Sequence, residues 1–131
     1  MKLYLDTSAL VKLVAREPHS PALRRYLETH ASDTRFTSAL ARTELIRAVS
    51  RYGPSAAIAQ ARRLLTRLDT VALSIRLLDV AAVLPPAELR SLDAIHLAAA
   101  QTAPDLRALI TYDARMAQAA SQVGIAVAQP V

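Results

Sequence analysis

The chain has no cysteine and no tryptophan, and only two glycines and five aromatic residues among its 131 positions. Without thiols there are no disulfides and no thiolate metal sites, and a reducing cytoplasm is the expected setting. Two glycines, Gly53 and Gly124, are too few for the glycine-rich loops that cradle phosphate at a helix N-terminus. Any phosphate chemistry must then rest on metal ions or arginine. Four Tyr and one Phe provide little for stacking bases, so a nucleic acid would be chosen by shape and backbone. No apolar run approaches the roughly 18 residues of a membrane span. The acid at position 6 of "MKLYLDTSAL" is unlike a secretory leader.

What is present is an apolar, basic, α/β-patterned chain. Apolar residues make up 53% of it and mean hydropathy is +0.22, which suits one globular domain over residues 1–131. Lys and Arg number 16 against 11 Asp and Glu, and 14 of the bases are Arg, the side chain that forks onto phosphate. An Arg- and Ala-rich genome would also give this balance. Short apolar runs at 2–6, 35–39, 70–74, 107–111 and 125–129 read as strands. Between them "SALVKLVARE", "SPALRRYLETH", "ARTELIRAVSRY", "SAAIAQARRLLTRL", "IRLLDVAAVL", "LRSLDAIHLAAA" and "ARMAQAASQVG" read as helices. Ser20 and Ser91 are expected N-caps, and Gly53-Pro54 is expected to break a helical hairpin. The alternation predicts a three-layer α/β/α sandwich around a mostly parallel sheet of four or five short strands.

Four acids fall where such a sheet binds ligands, beyond the carboxyl ends of its strands. Asp6 ends the first strand, and Asp113 lies just past "RALIT". Glu44 sits about a turn and a half into the helix after "RFTSA", and Asp93 opens a helix that is apolar on nearly every side. Each also has a plain structural role open to it. Asp6 and Asp113 suit helix caps, Glu44 is spaced to pair with Arg47, and Asp93 is spaced to pair with Arg90 or His96. Four carboxylates brought together repel, by about 4 kcal/mol for a pair 4 Å apart at an effective dielectric of 20. A hard divalent cation reverses that penalty.

The series "YLDTSALVKL", "ARTELIRAV", "LRSLDAIHLAAA" and "LITYDARM" resembles the PIN-domain ribonucleases, in particular the VapC-type toxins of bacterial type II toxin–antitoxin pairs. The likeness runs from Met1 to about Val127. It implies a Mg2+- or Mn2+-dependent endoribonuclease whose acidic quartet is Asp6, Glu44, Asp93 and Asp113. Asp6 and Asp93 are then the principal metal ligands, Asp113 lies close by and Glu44 acts through water. Thr7 and Thr111 match hydroxyl positions that orient ligands or phosphate. The products would carry a 5′-phosphate and a 3′-hydroxyl. His19, His30 and His96 have no evident catalytic place; His96, three residues after Asp93, is spaced to touch the site but reads rather as a buried structural histidine.

With the quartet set aside, the remaining side chains hold 16 bases and seven acids, a net +9 that suits an RNA backbone. Arg42, Arg47 and Arg51 on one helix, and Arg62, Arg63 and Arg67 on the next, are candidates for that contact or simply solvated helix faces. The resemblance further implies a homodimer and a complex with a VapB-like antitoxin lying on "SALVKLV", "SPALRRYL" and "RTELIRAV", residues that otherwise fill the core. The alternative is a non-catalytic PIN scaffold that binds RNA or acts mainly within an antitoxin–DNA complex. Phosphatase and receiver readings lack their second aspartate or mid-sheet acceptor.

Overall fold

The computed structural model describes residues 1–52 and 55–131, so the expected break at Gly53-Pro54 lies outside the described residues. Five strands run β1 (Lys2–Leu5), β2 (Thr34–Ser38), β3 (Asp69–Val71), β4 (Leu106–Ile110) and β5 (Val127–Ala128). They form one parallel sheet in the order β3-β2-β1-β4-β5. Seven helices are described: α1 (Thr7–Val14), α2 (Ser20–Thr29), α3 (Ala39–Tyr52), α4 (Ser55–Thr66), α5 (Ile75–Ala82), α6 (Ser91–Ala100) and α7 (Ala114–Gln122). The expected α/β sandwich is the observed fold.

A strand covered on both faces needs apolar residues at every position rather than alternate ones. In β1, Leu3 and Leu5 belong to a core with Leu10, Leu23, Leu45 and Leu65 from α1 to α4. Tyr4 points the other way, into a core with Leu77, Leu97 and Met116 from α5 to α7. The uniformly apolar α6 is buried as expected, with Leu97, Ala99 and Ala100 fully covered.

Two expected caps are displaced. Ser20 is the first residue of α2, whose cap position is held by His19 with φ 71°. The Ser20 hydroxyl instead closes the preceding turn, donating to the Ala15 carbonyl and accepting from Glu17 N–H. Ser91 likewise lies inside α6, and Arg90 takes the cap position through extended backbone. In both places the local signal marked the right helix start, one residue late.

Because β1 is flanked by β2 on one side and β4 on the other, the chain leaves β1 and β4 in different directions. The crevice at such a reversal is where open α/β sheets bind ligands. Asp6 follows β1 and Asp113 follows β4.

Candidate active site

Asp6 is built in from three sides. Its backbone N–H donates to the Ile110 carbonyl (3.2 Å), tying the end of β1 to β4. Its carboxylate caps α1, with Oδ1 accepting from Ala9 N–H (3.0 Å) and the Ser8 hydroxyl (2.6 Å), and Oδ2 from the Thr111 hydroxyl (2.5 Å). The residue is 3% exposed, and all three donors to its carboxylate are neutral. Burial pushes its pKa above the ordinary aspartate value, against the pull of those donors. A carboxylate has about four acceptor positions, so three donors leave one open.

Glu44 and His96 are joined across 52 residues. His96 Nε2 lies 2.7 Å from Glu44 Oε1, and the Thr7 hydroxyl donates to the same oxygen at 2.6 Å. On the other side of the ring, Nδ1 lies 2.7 Å from the Tyr4 hydroxyl. Burial holds the Tyr4 phenol well above its ordinary pKa, so it stays protonated and can donate to Nδ1. Nε2–H then donates to Glu44. Burial pushes Glu44 up, and the bonds from His96 and Thr7 outweigh it, leaving the pKa below the ordinary glutamate value. Both donors use Oε1, so Oε2 has no protein partner among the described residues. The pairing of Glu44 with Arg47 does not form; His96 is the partner.

Asp93 and Asp113 share Arg90. Its Nε donates to Asp93 Oδ2 (3.1 Å) and its Nη2 to Asp113 Oδ2 (3.3 Å). Asp113 also caps α7, Oδ1 accepting from Arg115 and Met116 N–H. The Thr111 hydroxyl connects the halves, donating to Asp6 while accepting from Asp113 N–H (3.1 Å). The local roles expected of Asp6, Asp93 and Asp113 are therefore real, and these same residues still face one space. Together with Glu44, Thr7, Ser8 and His96 they line a cavity of about 340 Å³. No three acid or histidine side chains among the described residues stand close enough to form a ready-made coordination shell.

Arg42 and Arg47 are exposed on α3, as is Arg51. None of them lines the cavity; the arginine that does is Arg90. Sequence reasoning also undervalued Ser8, Tyr4 and His96, whose partners lie on other elements. For Ser8 one signal was available, its position two residues after a strand-ending acid, where a hydroxyl can fold back onto the carboxylate.

A model of the PIN domain matches residues 3–122. The chain belongs to the PIN-domain family. Within it, the chain is of the VapC type: it is 54% identical over 129 residues to Ribonuclease VapC46 of Mycobacterium tuberculosis, covering 98% of this chain and 97% of that protein. It is 44% identical over 131 residues to Ribonuclease VapC47 of the same species, covering 98% and 96%. Among solved structures, this PIN domain is similar in fold to M. tuberculosis VapC20, a sarcin–ricin-loop-cleaving toxin, with TM-score 0.72, 22% identity and coverage of 98% and 99%. VapBC2 from Rickettsia felis, bound to a DNA fragment from its promoter, gives TM-score 0.74 at 17% identity over the full length of both chains. No helix among the described residues is long and apolar enough to cross a membrane.

Proposed function

We propose that this VapC-type chain is the toxin of a type II toxin–antitoxin pair and a Mg2+- or Mn2+-dependent endoribonuclease acting in the cytoplasm. One observation carries the reading. Asp6 is a buried carboxylate with only neutral donors, in a cavity it shares with Glu44, Asp93 and Asp113. A buried charge of this kind calls for a cation. The all-oxygen donor set fits Mg2+ or Mn2+, and Mg2+ usually takes only one or two carboxylates and keeps several waters, so a ready-made shell is not needed. The names of the curated relatives support ribonuclease activity.

Asp6 and Asp93 are the principal residues that would hold the ion, with Asp113 close by and Glu44 acting through water. When bound, such an ion lowers the pKa of a coordinated water and offsets charge developing on the phosphate oxygens. Thr111 and Ser8 fix the Asp6 carboxylate, while Thr7 and His96 fix Glu44. Arg90, freed from its carboxylates, is placed to meet a phosphate.

The antitoxin's seat is an apolar groove of about 500 Å³ lined by Val11, Val14, Ala48, Val49 and Ala57. These belong to α1, α3 and α4. The "SPALRRYL" segment contributes less than its sequence suggested, because Leu23 and Leu27 are buried in the core. A homodimer is supported by α5, where Ile75 and Leu78 are exposed, and by the exposed Val83 that follows it. Light scattering of the purified chain tests that assembly.

The deciding experiment incubates the protein with a panel of structured and single-stranded RNAs. Cleavage should require Mg2+ or Mn2+ and vanish in Asp6→Asn and Asp93→Asn proteins that remain folded. Intact RNA under every metal would favour the non-catalytic scaffold.

A further inference from the structure

Beside the carboxylate cavity lies a second groove of about 310 Å³, and the two share Arg90 and Asp93 as a common wall. One side of the groove is α7, which presents Arg115, Gln118 and Gln122 at helical spacing. The other side is the segment leading into α6, with Glu88, Leu89 and Arg90. The floor is apolar, made by the buried Ala119 and the half-buried Leu89. Among the described residues, the side chains of Glu88, Arg115, Gln118 and Gln122 have no hydrogen-bond or ion-pair partner. Two amides, a carboxylate and a guanidinium therefore converge on an apolar floor with their hydrogen-bonding capacity unspent.

We propose that this groove is the subsite for the base next to the cleaved phosphodiester, and that it takes a base with a 6-amino or 4-amino group, adenine or cytosine, in preference to uracil. The proposal rests on the ribonuclease reading of the adjoining cavity and names what that site selects. The shared wall of Arg90 and Asp93 sets the groove directly beside the carboxylates. Its volume is at the low end for a ligand pocket, which suits a single base and not a stacked run. Gln is suited to pair bidentately with adenine, and an acidic side chain accepts from the cytosine amino group. Uracil offers a carbonyl oxygen at that position, which the Glu88 carboxylate repels. Arg115 and Arg90 border the groove, and on flanking phosphates they would supply attraction without base preference.

Two readouts test this. First, cleavage by the wild-type chain is mapped on a randomised single-stranded RNA pool with Mn2+. Adenine or cytosine should be enriched over uracil on one side of the cut. Gln118→Ala/Gln122→Ala should flatten that enrichment about tenfold, the scale of one lost bidentate contact. Gln129→Ala, an exposed residue outside the groove, should leave it unchanged. Second, binding is measured by fluorescence anisotropy on the Asp6→Asn background, using oligonucleotides that differ only by adenine or uracil at one position. Discrimination there should disappear when the two glutamines are removed. A wild-type cleavage map without base preference, or a preference that survives the double substitution, overturns the subsite. If no RNA is cut, the ribonuclease reading fails, and the binding comparison alone decides whether the groove selects a base.

Discussion

Two aspartates in this protein are buried to a similar degree and solvated in opposite ways. Asp33, 7% exposed, is surrounded by cations. Arg107 grips both of its oxygens, the N-terminal ammonium stands 3.3 Å from Oδ1, and His30 Nδ1 lies 3.9 Å from Oδ2. The bond from Arg107 leads in holding the Asp33 pKa below its ordinary value. Asp6, 3% exposed, has two hydroxyls and one amide instead, and its pKa is driven upward. Asp33 has spent its charge on the fold, pinning the chain's start to the approach to β2. Asp6 has no cation among its hydrogen-bond partners. A carboxylate buried at that cost fits the proposed cation site.

The sharpest way to break this contrast is to neutralise each aspartate in turn. Asp6→Asn should lower RNA cleavage by about a hundredfold or more, the scale of losing a catalytic electrostatic group. Its melting temperature should hold or rise. Asp33→Asn should do the reverse, with a clear fall in melting temperature and full activity per folded molecule. Parallel thermal melts and cleavage assays check both, and a cleavage loss in Asp33→Asn without unfolding would erase the distinction.

The pH dependence of stability gives the next largest effect, in metal-free buffer. Asp33 titrates lower in the folded protein than in the unfolded chain. Its contribution is therefore present above about pH 3.9, the unfolded value, and is lost as pH falls through the folded one. Asp6 titrates higher when folded, so its penalty grows as pH rises from about 3.9 through the folded value. Urea unfolding at several pH values should show the advantage of Asp6→Asn widening with pH and that of wild type over Asp33→Asn shrinking as pH falls. Added Mn2+ should cancel the first effect and leave the second.

Smaller effects should follow from the groups around Asp6 and Glu44. His96→Gln removes the ring joining Tyr4 to Glu44 and should weaken Mn2+ binding about tenfold to a hundredfold, measured by calorimetry. Thr111→Val strips one donor from Asp6 and one acceptor from Asp113 N–H, and should cost about 1–3 kcal/mol in urea unfolding. Smallest is Arg90→Ala. Its ion pairs to Asp93 and Asp113 are made by a side chain 59% exposed, so stability should move by less than about 1 kcal/mol.

Asp6 and Asp113 could be found from sequence because their positions follow from topology, at the ends of apolar runs. The burial of α6 was legible for the same reason, since a helix without a polar face has nowhere else to go. His96 was not, because its role depends on Glu44 and Tyr4, each brought close by a different strand or helix. Asp33 was invisible. Nothing near "HASDTRF" signals a partner at Arg107, 74 positions away. The displaced caps at Ser20 and Ser91 belong to the same class, because a hydroxyl before a helix has several local acceptors and the final turn chooses among them.

The place of β1 in the middle of the sheet also makes the proposed site depend on two segments 105 positions apart. Strand β1 is flanked by a neighbour that ends only at Ile110, and Asp6 meets Thr111 through that neighbour. A fragment lacking β4 would therefore carry Asp6 without the strand and the hydroxyl that hold it.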